Sequence, residues 1–301
     1  MFGLRPGHRR TVLSDKHGEV RFQRRPQHRA EWGKRIIRRL AAIAAEAFFP
    51  GICCGCGQLF RLPGRSVGAL TFEHWMDRFL CKACIAPFHA VGSPLCPGCG
   101  QPFASAQGAD HTCGRCLERP FGFSAARAAG LYEGGLQIAI QQLKYHGRDT
   151  LAQPLGRFLW QTLDRYWDPT HFDRIMPVPL HPRRLRQRGF NQAGALIREW
   201  PRLARRQGFC PPPDWIDPRT LQRQRPTRPQ TGLRRDERVT NLRGAFQFDD
   251  RRPGVKRLKV LLVDDVMTTG TTADACAQVL LAAGAAEVRV LSLARAVTDW
   301  D

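Results

Sequence analysis

The stretch Val260-Leu261-Leu262-Val263-Asp264-Asp265-Val266-Met267-Thr268-Thr269-Gly270-Thr271-Thr272 decides the fold. Its uninterrupted apolar run predicts a strand over 260–265 covered on both faces, as in a parallel sheet. Two acids end the strand, and a turn of small residues then opens a helix predicted over 271–283. The N–H groups of a helix start have no intrahelical partners, so with the helix dipole and the threonine hydroxyls they form a phosphate cradle. Gly270 lets the backbone turn closely around an anion. Two carboxylates beside such a cradle make chemical sense for a sugar phosphate. Asp264 and Asp265 would accept hydrogen bonds from ribose hydroxyls, while Thr268, Thr269, Thr271 and Thr272 hold the 5′-phosphate. An ordinary capped helix after a buried strand accounts for neither the paired acids nor the repeated threonines.

Strands and helices alternate on either side. Residues 125–132 predict a strand, 136–145 and 151–166 two helices, and 175–178 a strand bracketed by prolines. A helix is predicted over 192–207, a proline-rich break over 210–218 and a last strand over 287–294. Residues 221–243 are very basic and lack a clean period, which reads as a mobile loop with a short helix. The order gives an α/β fold with a parallel sheet flanked by helices.

The N-terminal half carries four C-x-x-C pairs: Cys53/Cys56, Cys81/Cys84, Cys96/Cys99 and Cys113/Cys116. Each pair sets two thiolates on one side of a tight knuckle, which is half of a tetrahedral site, so eight cysteines support two structural zinc ions (Zn2+). Sequential and cross-braced pairing both satisfy the spacing. Cys54 reads as a bystander, and Cys210 and Cys276 stand alone. Upstream, Ile36, Ile37, Leu40, Ile43, Ala44, Ala47 and Phe48 share one helical face, and Pro50 and Gly51 stop the helix. The chain then divides into a disordered basic tail over 1–32, a helix with a double zinc module over 33–120, and the α/β domain over 121–301.

Net charge is +21, with 47 Lys+Arg against 26 Asp+Glu and only six lysines. Such a field attracts nucleic acid, anionic membrane or phosphorylated ligands. An arginine-biased genome explains the preference for arginine but not the shortage of acids. No apolar run approaches the roughly 20 residues of a membrane span, and residues 1–30 lack the apolar core of a secretory signal. The expected location is therefore the cytoplasm, including the inner face of the membrane.

The 260–272 segment resembles the signature of the type I phosphoribosyltransferases. That resemblance implies that Asp264 and Asp265 contact ribose and that Thr268 to Thr272, Gly270 included, hold the 5′-phosphate of phosphoribosyl pyrophosphate (PRPP). It also implies that the loop after the 175–178 strand, Pro177-Val178-Pro179, holds pyrophosphate. Arg188 or its neighbours would neutralise this leaving group, with Mg2+ bridging its oxygens. Together with Leu143-Lys144-Tyr145, Arg188-Gly189-Phe190-Asn191-Gln192, the later Arg223, Arg225, Thr227, Gln230, Leu233, Arg238 and Asn241, and the cysteine pairs, the chain is similar to the ComF family of bacterial competence proteins from Ile36 to Arg295. The resemblance implies a zinc module fused to a type I phosphoribosyltransferase-like domain that handles incoming single-stranded DNA alongside DNA-uptake proteins. Arg183, Arg184, Arg186, Arg223 and Arg225 are candidates for tracking a nucleic-acid backbone. Lys144 reads equally as a ligand contact and as an exposed helix lysine. Two other readings stand beside this one: a metabolic nucleobase or amido phosphoribosyltransferase, and a non-enzymatic zinc-stabilised nucleic-acid adaptor.

Overall fold

The computed structural model describes residues 50–63, 71–105, 107–225, 242 and 244–297. The basic tail, the helix over 34–48, and Thr227, Gln230, Leu233, Arg238 and Asn241 lie outside them.

Two short strands, β1 (Gly51–Ile52) and β2 (Leu59–Phe60), pair antiparallel around the first cysteine knuckle. Three short helices follow in the cysteine-rich segment: α1 (Phe72–Met76), α2 (Lys82–Ile85) and α3 (Gly114–Glu118). The α/β part runs β3 (Ala125–Leu131), α4 (Gly134–Tyr145), α5 (Ala152–Tyr166), β4 (Arg174–Pro177), α6 (Pro182–Arg188), α7 (Gln192–Ile197), α8 (Trp200–Arg206), β5 (Leu221–Arg223), β6 (Phe246–Phe248), β7 (Lys259–Met267), α9 (Thr271–Ala282) and β8 (Glu287–Arg295). The main sheet has the order β3-β8-β7-β4, and every pairing in it is parallel.

Strand alternation explains the layers. Leu261, Val263, Leu291 and Leu293 point into one apolar cluster with α4, α5 and α7. Val260, Leu262, Val288 and Val290 point the other way, onto α9 and the β5–β6 hairpin. Cys53, Cys54, Phe72, Met76, Leu80 and Ile85 belong to the first cluster, so the first cysteine knuckle shares a core with the sheet. Helices α5 and α7 touch so closely that a Cβ on Gly156 would lie 2.1 Å from the Leu196 carbonyl oxygen. Trp200 Nε1 donates to the Gly156 carbonyl at 3.0 Å and fastens the same contact.

The helix expected over 192–207 is two helices. Pro201 has no N–H to give to the preceding turn and disfavours helical geometry at Trp200, so the chain breaks at Arg198–Glu199 and restarts with the proline in the first turn of α8. The first residues of the basic 221–243 stretch form β5, paired with β6. Among the described residues, no helix is long and apolar enough to cross a membrane.

Candidate functional site

A cleft of about 880 Å³ opens where β7 and β4 end. In open α/β sheets the crevice beyond the carboxyl ends of the strands is where ligands bind. Strand β7 brings Asp264 and Asp265 to this edge, and α9 starts one short turn later. Gly270 caps the helix with φ of 80°, in the left-handed region that a residue with a Cβ rarely adopts. It has no side chain to occupy the first-turn N–H groups of α9. The Thr269 and Thr271 hydroxyls lie 2.7 Å apart across the turn.

Lys144, from the last turn of α4, closes the acidic side. Its Nζ lies 2.7 Å from Asp265 Oδ1, and both side chains are mostly buried. Burial works against the ammonium, but the Asp265 carboxylate outweighs it and holds Lys144 above the ordinary lysine range. The Asp265 N–H donates to Asp264 Oδ1 at 2.8 Å. Burial, then the Asp265 charge, pushes Asp264 up to about 7, against the pull of Lys144, the Asp265 N–H and Arg223. Asp264 thus sits above its unfolded value of about 3.9, so its stability contribution is complete below that value and is lost as pH rises through about 7. Asp264→Asn is expected to raise the melting temperature more at pH 8 than at pH 5. Equal shifts in thermal melts at the two pH values would contradict this electrostatic arrangement.

Cations outnumber acids in the cleft. Lys144, Arg184, Arg188 and Arg223 line it with two carboxylates, which suits an anion. Arg188 Nη1 donates to Gln192 Oε1 at 3.1 Å, and its guanidinium lies 5.2 Å from the centre of the Tyr145 ring. Burial first, then the neighbouring Arg184 charge, lowers Arg223 below the usual arginine range. Val178 and Pro179 form the floor beside β7, where the Val178 N–H donates to the Val263 carbonyl at 2.8 Å. Asn191 Nδ2 donates to the Val178 carbonyl at 3.0 Å and fixes that loop.

Of the residues expected at a ligand site, Asp264, Asp265, Arg188, Thr268, Gly270, Thr272, Val178 and Pro179 line this cleft. Pro177 ends β4, buried behind the loop; Thr269 and Thr271 complete the turn without lining the cavity. The five arginines assigned to nucleic acid do not share one setting. Arg183 and Arg186 are exposed on α6, Arg184 lines the cleft and Arg225 is exposed beyond β5. Arg223 turns inward, with its guanidinium 5.3 Å from the centre of the Phe246 ring. Sequence reasoning passed over Tyr132 and Ala296, which also line the cleft. It left Lys144 open, although Lys144 lies four residues after the buried Ile140 and so on the inward face of α4.

The cysteines form two tetrads, Cys53/Cys56/Cys81/Cys84 and Cys96/Cys99/Cys113/Cys116, each with its Sγ atoms within 4.8 Å of one another. The pairing is therefore sequential. Cys56 Sγ lies 3.8 Å from Cys81 Sγ, and Cys99 Sγ lies 3.7 Å from Cys113 Sγ. Zn–S bonds of about 2.3 Å in a tetrahedron set sulfur–sulfur edges of about 3.8 Å, so each tetrad could hold one zinc. Despite burial, which raises it, the Cys53 thiol is held down to about 6 by backbone N–H groups of Cys56, Cys81 and Gly55. Burial likewise opposes ionisation of Cys96, and the N–H groups of Cys113, Cys99 and Gly98 hold it down to about 7. Cys54 lies outside both tetrads, and burial pushes it up to about 11.

No protein-family model matches the sequence. Individual relatives do. The DNA utilization protein YhgH of Salmonella typhimurium is 35% identical over 249 residues, covering 82% of this chain and 97% of that protein. Competence protein F of Haemophilus influenzae is 30% identical over 236 residues, covering 72% of this chain and 97% of its own. Competence protein ComFC of Streptococcus pneumoniae is 28% identical over 248 residues, covering 81% and 99%.

Proposed function

This chain belongs to the ComF family of competence and DNA-utilization proteins, and from that premise we propose that its cleft binds PRPP with Mg2+ and that the protein uses this site while handling incoming single-stranded DNA. The observation that carries the reading is the pairing of Asp264 and Asp265 with the uncapped start of α9 in a cleft that is otherwise cationic. Carboxylates suit ribose hydroxyls, and helix N–H groups with threonine hydroxyls suit a phosphate. Arg188 and Arg184 line the remaining volume and would neutralise a pyrophosphate there, with Mg2+ supplying further charge neutralisation when bound. Lys144 orients Asp265 through their ion pair. If the pyrophosphate leaves, the transition state is oxocarbenium-like, and positioning plus charge stabilisation suffices without a nucleophilic side chain.

The exposed arginines Arg183, Arg186 and Arg225 provide contacts for a single-stranded DNA backbone, next to DNA-uptake partners in the bacterial cytoplasm. The names of the relatives favour this role over base salvage. Isothermal titration of PRPP in Mg2+ buffer tests the ligand half, and absence of saturable binding would sink it. For the DNA half, Arg183→Ala/Arg186→Ala is expected to weaken single-strand binding and to reduce the salt slope, log K against log salt, by about 1.4, since each single-strand phosphate contact contributes about 0.7. Undetectable or salt-independent DNA binding by the parent protein would overturn that half.

A further inference from the structure

Arg295 ends β8 with 1% of its surface exposed. Its Nε and Nη2 donate to Gln101 Oε1 at 3.2 and 3.0 Å, and Nη2 also reaches Cys99 Sγ at 4.0 Å. Nη1 is buried without a hydrogen-bond partner. Among the described residues, no carboxylate pairs with this guanidinium. A buried cation with no counter-charge is costly, and the groups beside it that can carry negative charge are the thiols of the second tetrad. A zinc held by four thiolates has a net charge of about −2, which a buried guanidinium is well suited to balance. Among the described residues, no arginine hydrogen-bonds a thiol of the first tetrad, where Cys56 is exposed.

We propose that Arg295 is the counter-cation of the second zinc tetrad and that, through it, zinc at Cys96/Cys99/Cys113/Cys116 sets the shape of the cleft at the end of β7. The proposal stands on the tetrad as a zinc site and is independent of which ligand the cleft takes.

Two structural threads join the tetrad to the cleft. Along β8, the Arg295 carbonyl accepts from the Tyr132 N–H at 2.8 Å, and the Ala296 N–H donates to the Met267 carbonyl at 2.9 Å. Tyr132, Met267 and Ala296 all line the cleft. The other thread runs through Phe121, which packs on Cys96, Cys99 and Cys113 and stacks on Phe123 at 4.6 Å. A Cβ on Gly270 would lie 3.3 Å from the Phe121 ring, so that ring backs the turn into α9. Between the two phenylalanines, the Gly122 N–H donates to Asp274 Oδ1 at 2.7 Å, in the first turn of that helix.

The test uses full-length protein loaded with two zincs, Arg295→Met and Arg295→Lys, with zinc release to a chromogenic chelator as the first readout. Loss of an outer-shell partner typically weakens metal affinity about 10–100-fold, so the first zinc released from Arg295→Met is expected to leave faster by that order. Hydrogen exchange assigns the sites: amides over 96–100 report the second tetrad and those over 53–57 the first. In the same variant, fully zinc-loaded and without chelator, exchange over 267–272 is expected to rise while that over 53–57 stays at the parent level. Unchanged release at the second tetrad would overturn the counter-cation role. Faster release with unchanged exchange over 267–272 would overturn the link to the cleft. If Arg295→Met does not fold, Arg295→Gln, which keeps a hydrogen-bonding amide but removes the charge, carries the test, and a rate equal to the parent's would overturn the proposal. Arg295→Lys keeps the charge, so its release rate is expected to stay closer to the parent's than that of the neutral variant, and a loss as large as the neutral variant's would overturn the counter-cation role.

Discussion

Asp264→Asn/Asp265→Asn is expected to lose PRPP binding by about 100-fold or more in isothermal titration with Mg2+. Two charge-assisted hydrogen-bonding groups at about 1.5–3 kcal/mol each set that scale. The competing explanation for such a loss is a damaged fold, and the geometry separates the two. Asp265→Asn leaves Lys144 mostly buried beside an uncharged amide, and breaking a buried pair from one side costs about 3–5 kcal/mol. Adding Lys144→Met removes the orphaned charge, so the melting temperature should recover while binding stays lost. Asp264→Asn alone should melt higher than the parent above pH 7, because burial and Asp265 push that carboxyl up to about 7, and still bind poorly. A more stable protein that has lost its ligand marks a functional carboxylate held at a cost in stability. If the double variant binds as the parent does, the acid pair is structural and the cleft is not the PRPP site.

How much of this was legible beforehand depended on the range of each interaction. The 260–272 segment announces itself because strand, acids, glycine turn and helix are all local. Its apolar run has strand length and its small residues sit where a helix begins. The cysteine pairs are local too, and spacing alone foretold eight thiols in two sites. What depended on distant partners was hidden. The arginine at 223 looked like one more cation in a basic stretch. Only its strand's pairing with Phe246–Phe248 turns it inward over an aromatic ring. Arg295 lies just past the strand expected over 287–294 and drew no reading, because its acceptor, Gln101, is 194 residues away. Lys144 read equally as a ligand contact and as an exposed helix lysine. The acid that settles the matter comes from β7. Pro201 was a local signal passed over, and it divides one expected helix into α7 and α8.

Stripping both zincs is expected to unfold the described fold as a whole rather than its cysteine-rich part alone. A separate zinc domain ending near residue 120 would lose its own structure and leave the sheet standing. The packing argues otherwise. Cys53 and Cys54 lie in one apolar cluster with Leu136, Ile140, Leu155, Val263 and Leu291, and the second tetrad reaches the sheet through Arg295 and Phe121. Structural zinc contributes about 10–16 kcal/mol per site near neutral pH, whereas a whole domain is stable by only about 5–15 kcal/mol. Losing one site is therefore enough to exhaust the margin. Cys81→Ser and Cys113→Ser are each expected to abolish the cooperative melt, whereas Cys54→Ala, a buried thiol outside both tetrads, should cost only a cavity and keep two zincs per chain. Acid should act like a chelator, since the ligands must be thiolates: stability falls as pH drops and protons displace the metal. Circular dichroism melts read beside zinc content distinguish the cases. A chelated protein that keeps its helical signal and a sharp transition would show that the sheet stands alone and that the knuckles are an appendage. A single collapse on losing either metal would show that this fold is built around its zincs.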